Sequence, residues 1–391
     1  MLTKIILEHF KCFKKLHLPL APLTLLAGMN ATGKSTVLQA LAILHQTVVK
    51  NEWGQNLILN DDLISLGTAG DMINQVSGRN EFSIGLSTDS SSCLWRMVVD
   101  NRAMLSVPIQ HISWQEKDNW QKKCVVLRED EQLHHLLPSQ ILAASSHAQA
   151  LSSLISNLSY ISADRVGPRE TYFVSTPEQL KNVGSRGEQT PWFLYYFATQ
   201  KPLEGLLIEG TPPTLQRQVE AWMNKFFPGT NLSIEPVKGA NLITLGIRTS
   251  DSTDFHRPQN VGYGQSHVLP ILTACLGSTR SNIVMVENPE AHLHPSGQAA
   301  MGEFLARSAA SGIQVILETH SDHVLNGIRR AVKKGLITHH DVAIHFFTLR
   351  DEKSDHAPVI SPLIDKNGNL DQWPADFFDQ FDKDMGFLLG W

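Results

Sequence analysis

The distribution of apolar residues predicts alternating strands and helices near both ends of the chain. The apolar run Leu23–Ala27 ends at Gly28 and is typical of a buried strand, and apolar residues at helical spacing then predict a helix over 34–49. The same alternation returns after residue 261. It predicts helices from Ser266, over 295–310 and over 322–334, and strands over 282–286, 314–317 and 343–349.

The middle of the chain has a different pattern. Residues 81–130 alternate between apolar and polar, which predicts antiparallel strands. The apolar residues of 131–157 and 214–227 have helical spacing, and the pattern of 235–248 is typical of a hairpin. We therefore expect an α/β fold with a mixed sheet, interrupted by inserted strands and helices. The predicted parts are a discontinuous domain of 1–80 and 260–350, insertions of 81–160 and 161–259, and a C-terminal tail of 351–391.

The composition is that of a globular protein with a large core. Of the 391 residues, 42% are hydrophobic and 18% are charged, which excludes an intrinsically disordered chain. No uncharged apolar run approaches ~18 residues and no signal peptide is evident, so we expect a cytoplasmic protein without a membrane span. The four cysteines are far apart, which argues against a disulfide framework and against a cysteine zinc site.

The net charge of −5 does not favour general binding to nucleic acids. DNA or RNA is a candidate partner only through a local basic surface or through assembly of several copies. Ordinary solvation is the simpler interpretation of the basic residues that qualify, which are Lys11, Lys14, Lys15, Arg165 and Arg169.

The most specific motif spans residues 28–36. Its sequence, Gly-Met-Asn-Ala-Thr-Gly-Lys-Ser-Thr, matches the phosphate-binding P-loop pattern G-x-x-x-x-G-K-[ST]. The glycines let backbone N–H groups turn towards a phosphate, Lys34 adds a positive charge, and the Ser35 hydroxyl can ligate Mg²⁺. A buried strand before the loop and a helix after it are the context that this function needs.

A second apolar strand ends in a carboxylate. Glu287 follows the run 283–286, at the kind of position where P-loop proteins place their second Mg²⁺-organising group. His292 and His294 stand two residues apart with Glu290 nearby, but no third spaced ligand set accompanies them. We therefore interpret this segment as a turn that orders the site rather than as a zinc site.

Two weaker motifs lie in the same half of the chain. In the segment 260–267, two glycines precede Ser266, which we expect to cap a helix over 268–276. His320 follows the next predicted strand, and ligands of α/β proteins bind at the carboxyl ends of strands. Taken alone, a simple helix cap is the better interpretation of the first motif, whereas a structural histidine and a ligand-contacting one are equally good interpretations of His320.

In this order, the four motifs resemble those of ABC-class P-loop ATPases, in the branch that includes RecF, SMC and Rad50. The nearest resemblance is to OLD-type (overcoming lysogenization defect) ATPases, which occur in bacterial phage-defence systems. The resemblance covers residues 1–50 and 260–350, and the terminal run 364–379 is similar to the tail of one subfamily. It implies that the discontinuous domain is an ABC-type ATPase domain.

The resemblance also implies roles for individual residues. Ser35 and Glu287 would organise Mg²⁺, and His320 would be catalytic, in contact with the γ-phosphate. Bound ATP would join two copies of the chain as a homodimer or a higher oligomer, because each nucleotide would lie between one P-loop and the helix N-terminus of the other copy. The residues implied for nucleotide binding are Gly28, Asn30, Gly33, Lys34, Ser35, Thr36, Gly264 and Ser266.

Three positions depart from the family pattern. Ala31 replaces a glycine, His267 stands where glutamine is common, and Asn288 stands where the general base is normally a glutamate. An amide cannot accept a proton, so Glu290 is the nearest substitute for the base. We therefore predict slow hydrolysis of ATP.

Effector chemistry is expected on a separate chain. The sequence shows no Toprim nuclease after His320, and Asp382 and Asp384 are more typical of a solvated helix face than of a metal site. We hypothesise an ATP-switched sensor or scaffold of a phage-defence complex that controls a separate nuclease or toxin. A RecF-like DNA-repair ATPase and a scaffold that binds ATP without turnover stay open.

Overall fold

The structure is a computed structural model that describes residues 1–117, 119–127, 132–348, 359–374 and 380–389. Contacts group the chain into two compact units. The first comprises the described residues of Met1–Leu158, Ala343–Leu363 and Gln372–Trp391, and the second comprises Ser159–Val342 and Ile364–Asp371. The domain boundaries expected from the sequence stay a prediction.

The described residues form strands and α-helices in alternation. The strands are β1 (Leu2–Phe10), β2 (Phe13–Pro19), β3 (Leu23–Gly28), β4 (Asn56–Ile58), β5 (Glu81–Thr88), β6 (Ser91–Val98), β7 (Ser106–Glu116), β8 (Asn119–Val126), β9 (Leu133–His134), β10 (Leu137–Pro138), β11 (Leu158–Ile161), β12 (Thr171–Phe173), β13 (Asn231–Pro236), β14 (Leu242–Arg248), β15 (Ile283–Glu287), β16 (Gln314–Glu318), β17 (Val342–Phe347) and β18 (Val359–Ile360). The helices are α1 (Lys34–Lys50), α2 (Ala69–Met72), α3 (Ser139–Ala144), α4 (Ser146–Ser156), α5 (Thr190–Tyr196), α6 (Leu215–Phe226), α7 (Tyr263–Leu276), α8 (Pro295–Ala310), α9 (Asp322–Lys333) and α10 (Gln380–Leu389).

The first unit contains an antiparallel sheet in the order β2-β1-β5-β6-β7-β4, with β8 paired to β7. Ile5 of β1 lies opposite Leu86 of β5, and Leu7 lies opposite Ile84. Since directly opposed residues share one face, these buried side chains form a common apolar surface. The antiparallel strands predicted over 81–130 are thus confirmed for the described residues.

The P-loop strand β3 belongs to the first unit, where β17 is its neighbour in the sheet and β18 follows β17. The structure confirms the strand over 23–28 and the helix after the loop, which is α1. The predicted strand over 343–349 is β17, although Leu349 lies outside the described residues, as do residues 375–379 of the terminal run.

The second unit contains the strand path β11-β15-β16 and a small sheet in the order β12-β14-β13. Strands β15 and β16 are parallel, and their registers place Glu287 beside Glu318 at the carboxyl ends. All five residues of each strand are buried, which explains the uninterrupted apolar runs in the sequence. The helices predicted over 295–310 and 322–334 are confirmed as α8 and α9.

Two predicted element boundaries were wrong. Helix α7 begins at Tyr263 with Gly262 as its N-cap, so Ser266 lies inside the first turns and does not cap the helix. Within the segment expected to be helical over 131–157, β9 and β10 form a short hairpin before α3 begins. None of the described helices is long and apolar enough to cross a membrane.

Candidate functional site

The loop between β3 and α1 has backbone angles that require glycine at two positions. Gly28 has φ of 131° and Gly33 has φ of 105°. A Cβ atom at Gly28 would lie 2.2 Å from the carbonyl oxygen of Phe347, and one at Gly33 would lie 2.5 Å from the Phe13 ring. Any side chain here would displace the loop, so both glycines are needed for its conformation.

Lys34 folds back over this loop. Its ammonium donates to the carbonyl oxygens of Gly28 at 3.0 Å and Met29 at 2.6 Å, and only 3% of the residue is exposed. The Thr32 hydroxyl also donates to the Met29 carbonyl at 2.8 Å. The loop thus curls around its own lysine and places the positive charge within the turn.

The first turn of α1 presents the other predicted phosphate-binding residues. Gly33 is the N-cap, no side chain caps the helix, and no acidic residue occupies its first turn. Ser35 is half-buried, Thr36 is buried, and Asn30 is exposed on the loop. A helix N-terminus carries a partial positive charge, so this junction has the electrostatics of an anion-binding site.

Glu287 ends β15 as a buried and oriented carboxylate. The Tyr160 hydroxyl donates to its Oε1 at 2.7 Å, and the backbone N–H of Ala163 donates to its Oε2 at 3.0 Å. Burial and the neighbouring carboxylate raise the pKa of Tyr160 above its usual value, so the phenol stays protonated and remains a donor. The sequence had predicted Glu287 but gave no sign of Tyr160.

Arg165 organises the turn after β15. It is buried, and it donates to the carbonyl oxygens of Glu287 at 2.8 Å and Asn288 at 2.6 Å. Burial lowers the pKa of its guanidinium to about 10, so it remains charged at neutral pH. In the sequence, Arg165 is one of the residues of a candidate basic surface for DNA. That expectation is wrong for Arg165, because only 4% of the residue is exposed.

Glu290 folds back from this turn to the end of β16. Its two carboxylate oxygens accept from the Thr319 hydroxyl at 2.7 Å and from the His320 backbone N–H at 2.8 Å. The structure therefore brings together Glu290 and His320, which are the two residues predicted to be catalytic. The His320 residue is exposed. Asn288 adopts φ of 44° and donates its N–H to the Glu318 carbonyl at 2.9 Å.

The N-terminus of α7 holds the predicted signature residues. Gly264 and Ser266 are buried, and a Cβ atom at Gly264 would lie 2.8 Å from the His292 carbonyl oxygen. In the described part of the chain, the Ser266 hydroxyl oxygen has no hydrogen-bond partner. Tyr263, at the tip of the helix, is 57% exposed.

The histidines near this helix have distinct surroundings. His267 packs against His292, with ring centroids 4.5 Å apart, and receives a hydrogen bond from Arg165 Nε at 3.3 Å. Burial and the adjacent Arg165 charge lower the pKa of His267 to about 4, so the ring is neutral at pH 7. His294 caps α8, because its ring nitrogen accepts from the Ser296 N–H.

Three segments of the sequence match known protein families. Residues 1–145 match a family described as an AAA ATPase domain, and 204–326 match one described as an AAA domain, putative AbiEii toxin, Type IV TA system. Residues 337–388 match a family described as a protein of unknown function, DUF3696. A search of curated proteins found no significant match.

Several solved structures are similar to the chain. A Pyrococcus furiosus Smc head domain with an extended coiled coil, bound to the C-terminal domain of ScpA, is 12% identical, with a TM-score of 0.50 over 100% of this chain and 98% of that one. An SmcHead bound to the C-winged helix domain of ScpA is 14% identical, with a TM-score of 0.49 over 92% and 97% of the two chains. The SMC head domain from Thermotoga maritima is 11% identical, with a TM-score of 0.40 over 92% and 98%.

At this level of identity, the similarity to the Pyrococcus furiosus head shows the fold alone. The two AAA domain matches cover the segments that hold the P-loop and the strand ending in Glu287. The chain therefore has a mixed α/β fold that resembles the SMC-head fold of ABC-class P-loop ATPases.

Proposed function

We propose that the chain binds ATP with Mg²⁺ and that bound ATP switches it into a dimer. The observation that carries this proposal is the junction of the P-loop and α1. This junction combines two glycines that the backbone conformation requires, a buried lysine, and a helix N-terminus without a side-chain cap. Together they supply the charge and the backbone geometry that a polyphosphate needs.

Nucleotide binding would exchange the partners of Lys34. In the structure its ammonium donates to two carbonyl oxygens of the loop. Hydrogen bonds between an ammonium and a phosphate are charge-assisted and stronger than those to neutral carbonyls. We therefore expect Lys34 to turn towards the β- and γ-phosphates while Ser35 supplies a ligand to Mg²⁺.

The roles proposed for the carboxylates follow their surroundings. Glu287 is assigned to organise Mg²⁺, because two donors already hold its carboxylate in one orientation. Glu290 is assigned as the base that accepts a proton from water, and His320 as the partner of the γ-phosphate. One hydrogen bond joins the Glu290 carboxylate to the His320 backbone, so the two groups would act as a unit.

The proposed dimer would use the N-terminus of α7. The tip of this helix is exposed at Tyr263, and beneath it lies a Ser266 hydroxyl without a partner among the described residues. Gly264 and Ser266 are assigned to the γ-phosphate bound by a second copy of the chain. A small rearrangement of the tip would be needed, because Ser266 is only 6% exposed.

The biological role that we propose is that of a sensor or scaffold in an anti-phage defence complex of the OLD-like kind, controlling a separate nuclease or toxin. It is supported by the match of 204–326 to a family whose description includes a toxin–antitoxin system. Asn288 favours a long-lived ATP state, and therefore a switch rather than a fast motor. The product of the neighbouring gene should co-purify with the chain in an ATP-dependent manner.

Sedimentation velocity tests the switch directly. With Mg²⁺ and ATP, the wild-type chain should sediment as a dimer or a larger assembly, and with ADP it should revert. Replacing Tyr263 with arginine at the helix tip should weaken the ATP-dependent assembly, whereas Phe173→Arg, at another exposed aromatic residue, should not. An oligomeric state that is the same with ATP, with ADP and without nucleotide would overturn the proposed switch.

A further inference from the structure

A group of three metal-ligating side chains lies in the first unit: Glu52, His134 and His135. Each of the three side chains offers one ligand atom, and these atoms all lie within 4.8 Å of one another. Within the described ranges, no other set of three or more histidine, cysteine or acidic side chains meets this criterion. The motifs discussed above do not include any of the three.

The backbone holds the group in place. Glu52 follows the C-terminal end of α1, and its carbonyl oxygen accepts from the His135 N–H at 2.8 Å. His134 ends β9, and His135 with Leu136 forms the turn of the β9–β10 hairpin. Both turn residues have positive φ, of 48° and 65°. The two histidines are thus fixed at the tip of a hairpin that is itself bonded to Glu52.

The distances between the ligand atoms are close to those that a tetrahedral metal site needs. The Glu52 Oε1 atom lies 2.8 Å from His134 Nε2 and 3.4 Å from His135 Nε2. Zinc–ligand distances of ~2.1 Å require ligand atoms about 3.4 Å apart in a tetrahedron. One pair therefore has this separation already, and the other needs to open by only a fraction of an ångström.

The surroundings orient both rings. Ser152 Oγ lies 2.8 Å from His135 Nδ1, so that Nδ1 can donate to the hydroxyl and leave the Nε2 lone pair for a metal. The His134 ring stacks against Trp53 on one side, with centroids 4.2 Å apart, and against His135, with centroids 4.1 Å apart and an interplanar angle of 21°. Because a metal lies close to the plane of each imidazole that binds it, the two histidine rings must tilt apart when an ion binds. The side chains of Glu52 and the two histidines are partly exposed, so an ion has access.

We propose that Glu52, His134 and His135 bind a divalent transition metal, with Zn²⁺ as the best match. Two imidazoles and one carboxylate suit zinc, whereas Mg²⁺ and Ca²⁺ prefer sites built from oxygen. Three protein ligands leave a fourth position for water or an anion. This site is separate from the proposed Mg²⁺–ATP chemistry and does not depend on it.

The test uses the full chain without an affinity tag, stripped of metal by dialysis against a chelator. Titration with Co²⁺, followed by visible absorption, should show one four- or five-coordinate site per chain, and Zn²⁺ should displace the cobalt. The variants Glu52→Gln and His134→Ala should each bind Co²⁺ at least ~10-fold more weakly. As the matched control, His339→Ala with His340→Ala removes another pair of adjacent histidines whose rings are in contact and should leave the site intact.

A second measurement avoids any dependence on variants. In the wild-type chain, Zn²⁺ should protect His134 and His135 from modification by diethyl pyrocarbonate, as read by peptide mass spectrometry, while His339 and His340 should stay reactive. Absence of stoichiometric cobalt binding, or equal modification of both pairs with and without Zn²⁺, would overturn the proposal. The group would then be an ordinary ion pair of Glu52 with two histidines.

Discussion

At the scale of single residues, the proposed mechanism makes the rate of ATP hydrolysis depend on Asn288 and Glu290. Asn288 has φ of 44°, a left-handed conformation that asparagine adopts more readily than glutamate does. Its amide can orient a water molecule but cannot accept a proton. Glu290 can accept one, and its carboxylate is held by Thr319 and His320. Turnover should therefore depend on Glu290.

Replacing Glu290 with glutamine should lower steady-state ATP turnover by about 10²–10⁴-fold, the usual effect of losing a general base. The glutamine amide oxygen can still accept from the His320 N–H, so the turn should keep its shape, and ATP affinity measured by calorimetry should change little. Asn288→Glu should raise turnover. A wild-type rate of tens per second that Glu290→Gln leaves unchanged would contradict both the slow switch and the role of Glu290.

Arg165 shows the limit of residue-level inference from sequence. The spacing of the P-loop and the end of an apolar strand pointed to Lys34, Ser35 and Glu287, because those roles depend on local sequence. The position of Arg165, buried and donating to two backbone carbonyls, depends on tertiary contacts. The neighbouring residues in the sequence give no indication of those contacts. Basic residues are usually exposed, so Arg165 was expected at the surface.

At the scale of elements, the close approach of the P-loop to β17 has a measurable cost. Gly28→Ala places a methyl group 2.2 Å from the Phe347 carbonyl oxygen, so β17 or the loop must move. We expect the free energy of unfolding to fall by several kcal/mol, against about 1–2 kcal/mol for Gly78→Ala, which has φ of 66° but no atom within 4 Å of the added Cβ. Urea denaturation of both variants measures the difference.

An equal loss of stability in the two variants would contradict the contact with Phe347. The comparison is matched, because both substitutions introduce alanine at a glycine with positive φ, and only one of them meets a neighbouring backbone. Loss of ATP binding should also be confined to Gly28→Ala.

Hydrophobic periodicity was a good guide to most elements and a poor one to two of them. It placed α1, α8 and β15 to within a residue or two, because their buried faces repeat regularly. The start of α7 was missed since Gly264 disfavours a helix, and only its contact with the His292 carbonyl explains why glycine stands there. The β9–β10 turn was missed because His135 and Leu136 are not typical turn residues.

At the scale of the whole molecule, two buried histidines make stability depend on pH. His345 is neutral and has partners for both ring nitrogens, since Nε2 can donate to the Pro19 carbonyl and Nδ1 can accept from Ser361, each at 2.8 Å. Burial lowers its pKa to about 4, and the pKa of His267 is likewise about 4. Between about pH 4 and 6.5, both imidazole rings are therefore neutral in the folded state, whereas the same two histidines are protonated in the unfolded state.

Stability should therefore be full above about pH 6.5 and should fall as the pH drops towards 4, because the unfolded state binds more protons in that window. Each group contributes at most ~1.4 kcal/mol per pH unit. The urea midpoint of the wild type, measured between pH 7 and 5, should decrease, and His345→Gln should flatten the slope. A midpoint independent of pH would contradict the neutral, buried state of these rings.

The central claim is that the junction of the P-loop and α1 binds ATP through Lys34. Isothermal titration of the chain with ATP and Mg²⁺ tests it most directly, with Lys34→Ala as the variant and Lys50→Ala, at the exposed far end of the same helix, as the control. We predict that Lys34→Ala weakens ATP binding at least about tenfold, since a charge-assisted hydrogen bond is lost, and that Lys50→Ala binds as the wild type does. Wild-type affinity in Lys34→Ala would contradict the account.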